Sequence, residues 1–291
     1  MPAREIIAGA SVDGPSLTFV GLEHRGDEIE LLHAAVRQRP DQSDDLWFAS
    51  ALCDHISDAR LRVSQVNVSL DADSALLLSF PLDATLTQAE RNEHVQWELS
   101  HFIENYQPRD FISDLHVLET RSQDQSQYVL SVTVRRDMIF GLQRTLKDRG
   151  LTLGIVDVNP FASIAAISRG YPDIKKGTVA VVGIATSRIE ATIVHEGRMT
   201  KYGYAYSRED PRSNPFLSDF LTGKRAGRVY FYGSARAREY LDIHRRTMRT
   251  PGVLVDPFHR LLISPAFPGF DRYMSQAFRF ACAVGIALRR A

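Results

Sequence analysis

The stretch PLDATLTQAERNEHVQWELSHFIENYQPRDFISDLHVLE (81–119), with YVLSVTVRRDMIFGLQRTLKDRGL (128–151) and TLGIVDVNPFA (152–162), decides how this chain is read. It reads as strand end, helix, strand, strand, helix, strand. Thr87 and Glu90 stand at capping-box spacing: the Thr hydroxyl accepts from the first turn and the Glu carboxylate reaches back. Val95, Leu99, Phe102 and Ile103 fall at i, i+4, i+7 and i+8, one face of a helix. Pro108 follows where that helix is over. Strands are expected at 111–118 and 128–134, with 120–127 as the hairpin loop. Met138, Ile139, Leu142 and Leu146 mark a second amphipathic helix, and Gly150 takes the C′ position.

In order and spacing this module resembles the inserted 1C-type subdomain of the PilM family, actin-like proteins of type IV pilus assembly. The resemblance rests on Pro81, on Trp97 with Glu98, on Asp114, on Gly150 with Leu151, and on Asp157 with Val158. It runs over about eighty residues and, more weakly, through the whole chain. No single motif carries it; the order of many does.

Outward from the module, the N-terminal part reads as three strands at 6–12, 16–23 and 28–36, turned by Asp13-Gly14-Pro15 and Arg25-Gly26-Asp27. A helix at 46–56 follows, with Asp44 or Asp45 near its start and Trp47 in the core, then a strand at 65–70. Residues 160–170 read as a connecting helix with Pro160 in its first turn. Strands at 179–184, 188–195 and 198–206 then repeat the opening pattern. Glu23-His24-Arg25-Gly26 and Val194-His195-Glu196-Gly197 share a turn signature, the mark of a duplicated fold. Tyr202, Tyr204 and Tyr206 alternate with smaller or polar residues, the period of a strand with one aromatic face.

The expected architecture is α/β: an actin-like (ribonuclease H-like) duplicated two-lobe fold with an inserted 1C-type subdomain. The first-lobe core is 1–70 with the 160–170 helix, the inserted subdomain is 71–159, and the second-lobe core is 171–291. Little separates the second meander from the strand at 229–232: Asp210-Pro211, Asn214-Pro215, a short helix at 216–221 and Gly223. The second lobe is therefore read as truncated, without the upper helical subdomain of the family. A basic helix is expected at 235–248, and a final helix at 272–290 that is apolar through 280–288 yet too short for a bilayer.

Composition excludes several classes. No run of 18 apolar residues exists, and the N-terminus lacks an apolar signal segment, so a cytoplasmic protein is expected. Cys53 and Cys282 read as reduced and buried. The nine histidines are scattered without metal-ligand spacing, so no metal site is expected. A net charge of zero hides an asymmetry. Residues 1–134 carry 9 basic and 22 acidic side chains, net −13, and residues 198–291 carry 17 and 7, net +10. The arginines lack the interleaved aromatics of a nucleic-acid binder, so no specific nucleic acid is expected.

The resemblance implies an ATP site between the lobes, built from two strand turns whose N–H groups cradle phosphate and two strand-end carboxylates that hold Mg²⁺. Aligned without gaps, the metal-linked carboxylate is replaced by Ser11, the turn glycine by Asp13 with Gly14 beside it, and a family Lys by Thr18. The second turn reads Gly183-Ile184-Ala185, so its carboxylate is missing as well. The adenosine-side glycine turn is reduced to Gly233-Ser234-Ala235. Asn159, before Pro160, orients a water but takes no proton. Asp157 reads either as a site acid or as the cap of the Pro160 helix. A shifted register, with Asp13 as the metal-linked carboxylate and Gly14 as the turn glycine, stays open.

The expectation is therefore a scaffold with a degenerate nucleotide site, no catalytic residue and no bound cofactor. ATP with Mg²⁺ is expected only if the site is still competent. By resemblance its partners are the cytoplasmic N-terminal peptide of a PilN-like bitopic inner-membrane protein and pilus or secretion platform components, with the membrane reached only through the partner. The family's groove for that peptide lies between the first-lobe core and the module. A working ATP-binding protein or slow ATPase is the alternative. The cytoplasmic domain of a GspL-like secretion protein is a third reading.

Overall fold

A computed structural model describes residues 5–40, 46–121, 123, 125–206, 215–223, 226–267 and 269–290. Asp44, Asp45, Asp210, Pro211 and Asn214 lie outside these residues.

The first sheet grows from β1 (Glu5–Asp13), β2 (Ser16–Arg25) and β3 (Glu28–Gln38), an antiparallel meander. After α1 (Trp47–Asp58), β4 (Gln65–Leu70) joins β1 in parallel. The module follows as β5 (Ala75–Asp83), α2 (Gln88–Phe102), β6 (Phe111–Arg121), β7 (Ser126–Arg135), α3 (Arg136–Asp148) and β8 (Leu153–Val158). Next come α4 (Asn159–Gly170) and the second meander, β9 (Thr178–Ile184), β10 (Arg188–His195) and β11 (Arg198–Tyr206). The chain continues through α5 (Phe216–Leu221), β12 (Val229–Gly233), α6 (Ala237–Thr247), β13 (Gly252–Leu254), β14 (Leu262–Ile263), α7 (Asp271–Met274) and α8 (Ala281–Ala287).

The sheet orders carry the duplication. One sheet runs β14-β3-β2-β1-β4-β8 and the other β11-β10-β9-β12-β13. Without β14, each is a meander followed by two parallel strands in the same sequence, which defines an actin-like two-lobe fold. Helices α4 and α8 lie between the two sheets. Ala162, Ile167, Ala281 and Ile286 share a core with Val179, Val181 and Tyr230 of the second sheet, and Ala283, Val284 and Ala287 pack on Ile7, Val20 and Leu22 of the first. On the outer face of the first sheet, α1 and α3 cover Ala8, Phe19 and Val68 with Leu52, Leu142 and Leu146. Among the described residues, one short helix, α5, lies between β11 and β12.

The third sheet, β5-β7-β6, has α2 on one face through Val95 and Leu99. The capping box is present: Glu90 N–H reaches the Thr87 hydroxyl at 3.4 Å, and Thr87 N–H donates to Glu90 Oε2 at 2.8 Å. At the end of α3, Gly150 N–H bonds Lys147 O and Leu151 N–H bonds Leu146 O, both at 2.9 Å, the Schellman pair.

Several segments differ from the expectation. Helix α2 stops at Phe102, and Ile103 is extended, so Ile103 turns inward while Phe102 stays 59% exposed. Trp97 faces away from the Val95 stripe, which leaves packing on a second neighbour, the preferred reading, or presentation to a partner; it is also 59% exposed, between the His94 and His101 rings. The hairpin of β6 and β7 extends to the pair Arg121 and Ser126, shortening its loop. The long final helix is instead α7, a 3-10 turn at Ala277–Phe280, and α8. Two segments return to the first sheet. Strand β8, expected in the inserted module, pairs with β4. Strand β14, expected with the second lobe, pairs with β3, while α8 packs on the first sheet. Both returns follow from open strand edges and an apolar sheet face that need covering.

Candidate functional site

Between the lobes lies a cleft of about 150 Å³. It gathers Ser11, Asp13 and Thr18 from the first meander, Gly183 and Ala185 from the second, and Gly233 at the end of β12 with Ser234 after it. Gly14 sits at the rim against Thr186, and Ala235 is exposed outside the lining. Asn159 stands at the centre. Its Oδ1 accepts from the Ser11 and Ser69 hydroxyls at 3.0 and 2.7 Å, and its Nδ2 donates to Val12 O at 2.9 Å. Every polar atom of the Asn159 amide is thus engaged by the protein itself. Gly233, at φ +108, brings its backbone against β9: a Cβ there would stand 2.5 Å from Ile184 O.

Four acidic side chains stand in or beside the cleft, and three of them, Asp71, Asp73 and Glu190, carry no signal in the sequence motifs: Asp13 and Glu190 line it, and Asp71 and Asp73 flank it. Asp71 and Asp73 lie on the loop after β4. The Gly14 N–H donates to Asp71 Oδ2 at 2.8 Å, and Asp71 Oδ1 accepts from the Ser74 N–H and hydroxyl. Asp73 crosses to the other lobe, where it accepts from the Ser187 hydroxyl at 2.6 Å and from Arg188 at 2.5 Å. The Arg188 guanidinium is itself stacked on Tyr204 and Tyr206, 4.8 and 5.6 Å from their centroids. These bonds hold the Asp73 carboxyl below its ordinary pKa against the opposing effect of burial.

Asp13 and Glu190 are the other two. Burial, then the charge of Asp71, pushes the Asp13 carboxyl up to about 7, against the Thr186 N–H and Arg279. Burial also raises Glu190 to about 7, although Tyr202 donates its hydroxyl to Glu190 Oε1 at 2.8 Å. Glu190 faces Gly183 across the β9–β10 register, the signal that could have placed it in the cleft. Tyr202 of the aromatic strand is therefore a buried partner of this acid, while Tyr204 and Tyr206 hold Arg188. Among the described residues, no cluster of three or more His, Cys, Asp or Glu has the arrangement of a metal site.

A second concavity, about 490 Å³, opens between two sheet edges. One wall is β6, the edge of the third sheet, and the other is β8, the edge of the first. Its lining is mainly apolar, with Ile112, Leu115, Val132, Val156 and Phe161 among the apolar side chains. Its polar groups are Asp114, His116 and an ion pair of Asp157 with Arg289. Asp157 therefore belongs to this groove and does not cap α4: its carboxylate accepts from the Val158 N–H, and burial raises its pKa while Arg289 opposes the rise. Trp97 lies outside both sites.

Duplicated sheets around an interlobe cleft define an actin-like protein with an additional α/β module on its first lobe. Residues 41–211, more than half of the chain, match the family described as type IV pilus assembly protein PilM, and the chain belongs to that family. A solved PilM-PilN type IV pilus biogenesis complex is similar, with a TM-score of 0.76 and 17% identity, covering 97% of this chain and 98% of that one. A Bacteroides thetaiotaomicron protein of actin-like ATPase fold and unknown function follows at a TM-score of 0.55 and 11% identity, covering 87% and 91%. At these identities the likeness shows the fold. No curated protein matches the chain.

Proposed function

We propose that this protein is a scaffold of a type IV pilus inner-membrane platform, which binds the N-terminal cytoplasmic peptide of a PilN-like membrane protein in the groove between β6 and β8. The observation that carries the reading is the groove itself: two unpaired strand edges face each other across an apolar channel. An extended peptide gains main-chain hydrogen bonds from such an edge and specificity from alternate side chains in the apolar lining. Among the described residues no helix is long and apolar enough to cross a membrane. In this reading the membrane is reached through the partner.

In the same reading the interlobe cleft is a nucleotide site by shape alone. The Gly14 N–H, oriented for an anion, is taken by Asp71, and Asp73 takes the Ser187 hydroxyl and Arg188. A cleft of about 150 Å³ is small beside ligand sites of about 300–1,000 Å³. A phosphate beside Asp13 and Asp71 adds a like charge, costing on the order of 1–4 kcal/mol. These residues do not fit Mg-ATP, and no hydrolytic role is assigned to any of them.

The test is fluorescence anisotropy with a labelled synthetic peptide of the PilN-like partner's cytoplasmic N-terminus. Saturable binding is expected for the native protein and its loss for Ile112→Asp, with unchanged thermal unfolding. Absence of binding, or binding indifferent to Ile112→Asp, refutes the reading.

A further inference from the structure

One face of the first lobe carries a basic groove that shares Arg279 with the lining of the interlobe cleft and is otherwise separate from the cleft and from the peptide groove. It encloses about 610 Å³ between His33 of β3, His55 and Asp58 of α1, and the segment holding Arg272, Gln276 and Arg279. The His55 ring stacks on Phe19 at 5.9 Å, and His33 packs between Phe19 and Phe267 at 5.9 and 5.4 Å, so both imidazoles are fixed in place. The Arg272 guanidinium lies 4.6 Å from the Tyr273 centroid. Arg279 donates to Gln276 Oε1 at 2.8 Å and to the Ser16 hydroxyl at 3.3 Å, two neutral acceptors.

Among the described residues, neither arginine has a carboxylate within ion-pair distance. Asp58 is the one acid in the lining, and Asp13 feels Arg279 only as a neighbouring charge in the cleft. Burial lowers the pKa of both imidazoles. His55 and Arg272 lower His33 further, and Arg37 lowers His55 further, while Asp58 and Asp54 raise His55. The groove is therefore a local surplus of positive charge, and it lies where the basic C-terminal half of the sequence meets the acidic N-terminal half.

We propose that this groove binds a phosphate-bearing anion, with Arg272 and Arg279 as its charged partners and the Gln276 amide N–H₂ as a neutral donor. Two guanidiniums on one rim match a tetrahedral dianion better than a single carboxylate, because each presents a planar fork of N–H groups to separate oxygens. Bound charge also relieves the two imidazoles of the positive field around them. Such a phosphate comes either from a soluble compound or from the headgroup of an anionic lipid.

The experiment follows the imidazole resonances of histidine-labelled protein while inorganic phosphate is added against sodium chloride of equal ionic strength. It is joined by flotation with phosphatidylcholine vesicles with and without phosphatidylglycerol. Phosphate is expected to shift His33 and His55 together, and Arg272→Ala to weaken the effect about tenfold or more. Arg272 is exposed, so unchanged thermal unfolding of the variant is the control for folding; Arg279→Gln supplies a second, independent loss. Phosphate shifts without flotation assign a soluble ligand. Flotation that needs phosphatidylglycerol and is lost in Arg272→Ala assigns a lipid headgroup. Neither response, or responses equal in both variants and the native protein, overturns the proposal.

Discussion

Asp73 of the first lobe and Arg188 of the second meet at 2.5 Å across the mouth of the cleft, and the same carboxylate holds the Ser187 hydroxyl. The Arg188 side chain is 8% exposed and Asp73 44%, so the arginine is the member that suffers when the pair is broken. Asp73→Ala is expected to destabilise the protein by about 1–2 kcal/mol, the worth of charged hydrogen bonds reduced for the partly exposed partner. Urea denaturation measures it. No change would mean that Arg188 is held by Tyr204 and Tyr206 alone.

Asp13 and Glu190 set a pH dependence of definite sign. Both have folded pKa values of about 7, above their ordinary 3.8 and 4.5. Between those limits the folded state binds more protons than the unfolded one, so stability falls as pH rises from about 4 to 7 and levels off above. Asp13→Asn with Glu190→Gln is expected to flatten that fall. Denaturation midpoints at pH 5, 6, 7 and 8 test it, and a native protein whose stability rises over this range contradicts it.

For the nucleotide site, calorimetry of the native protein with Mg-ATP is expected to give no binding heat. Asp13→Gly removes the charge from the turn, and Asp71→Asn removes it from the Gly14 amide. Binding at micromolar concentration by the native protein would return the chain to the class of working ATP-binding proteins, with Asp13 as the metal-linked carboxylate.

Gly285 of α8 faces α4 with no space to spare: an added Cβ would stand 1.7 Å from Ala162 O. Because the obstacle is backbone, Gly285→Ala must part the two helices between the sheets. A loss of about 3 kcal/mol is expected, read as a lowered urea midpoint. Gly26→Ala is the contrasting substitution: its Cβ meets nothing within 4 Å, but it is strained by φ +66.

The two meanders, the capping box at Thr87 and Glu90, and the helix stop at Gly150 were legible because each is written in residues adjacent in sequence. Of the positions the resemblance marked, the structure brings Ser11, Asp13, Gly183 and Gly233 to one place. The acids in and beside the cleft, Asp71, Asp73 and Glu190, were not singled out. They act on Gly14, Arg188 and Tyr202, and the first two of those bonds span more than fifty residues. Local periodicity carries no trace of such pairs. Trp97 and Phe102 misled for a related reason. A large aromatic on a helix argues for burial, but the helix ends at Phe102 and α2 has only one partner sheet.

The return of α8 to the first sheet also orders events during synthesis. Asn67 of β4 donates to Ile286 O and Arg289 O at 3.1 and 3.0 Å, and His24 of β2 bonds Ala287 O at 3.0 Å. A ribosome that has released the whole of β1 to β8 has therefore exposed a sheet with one bare apolar face and unpaired polar side chains. That face stays open until the residues near 287 emerge. The module has one face covered by α2, but Leu77, Leu118 and Leu130 on its other face share a core with Met199 and Tyr202 of β11 and wait for the second meander. The nascent chain thus carries two sheets that each wait for a later segment, the kind of species that aggregates and that chaperones shield.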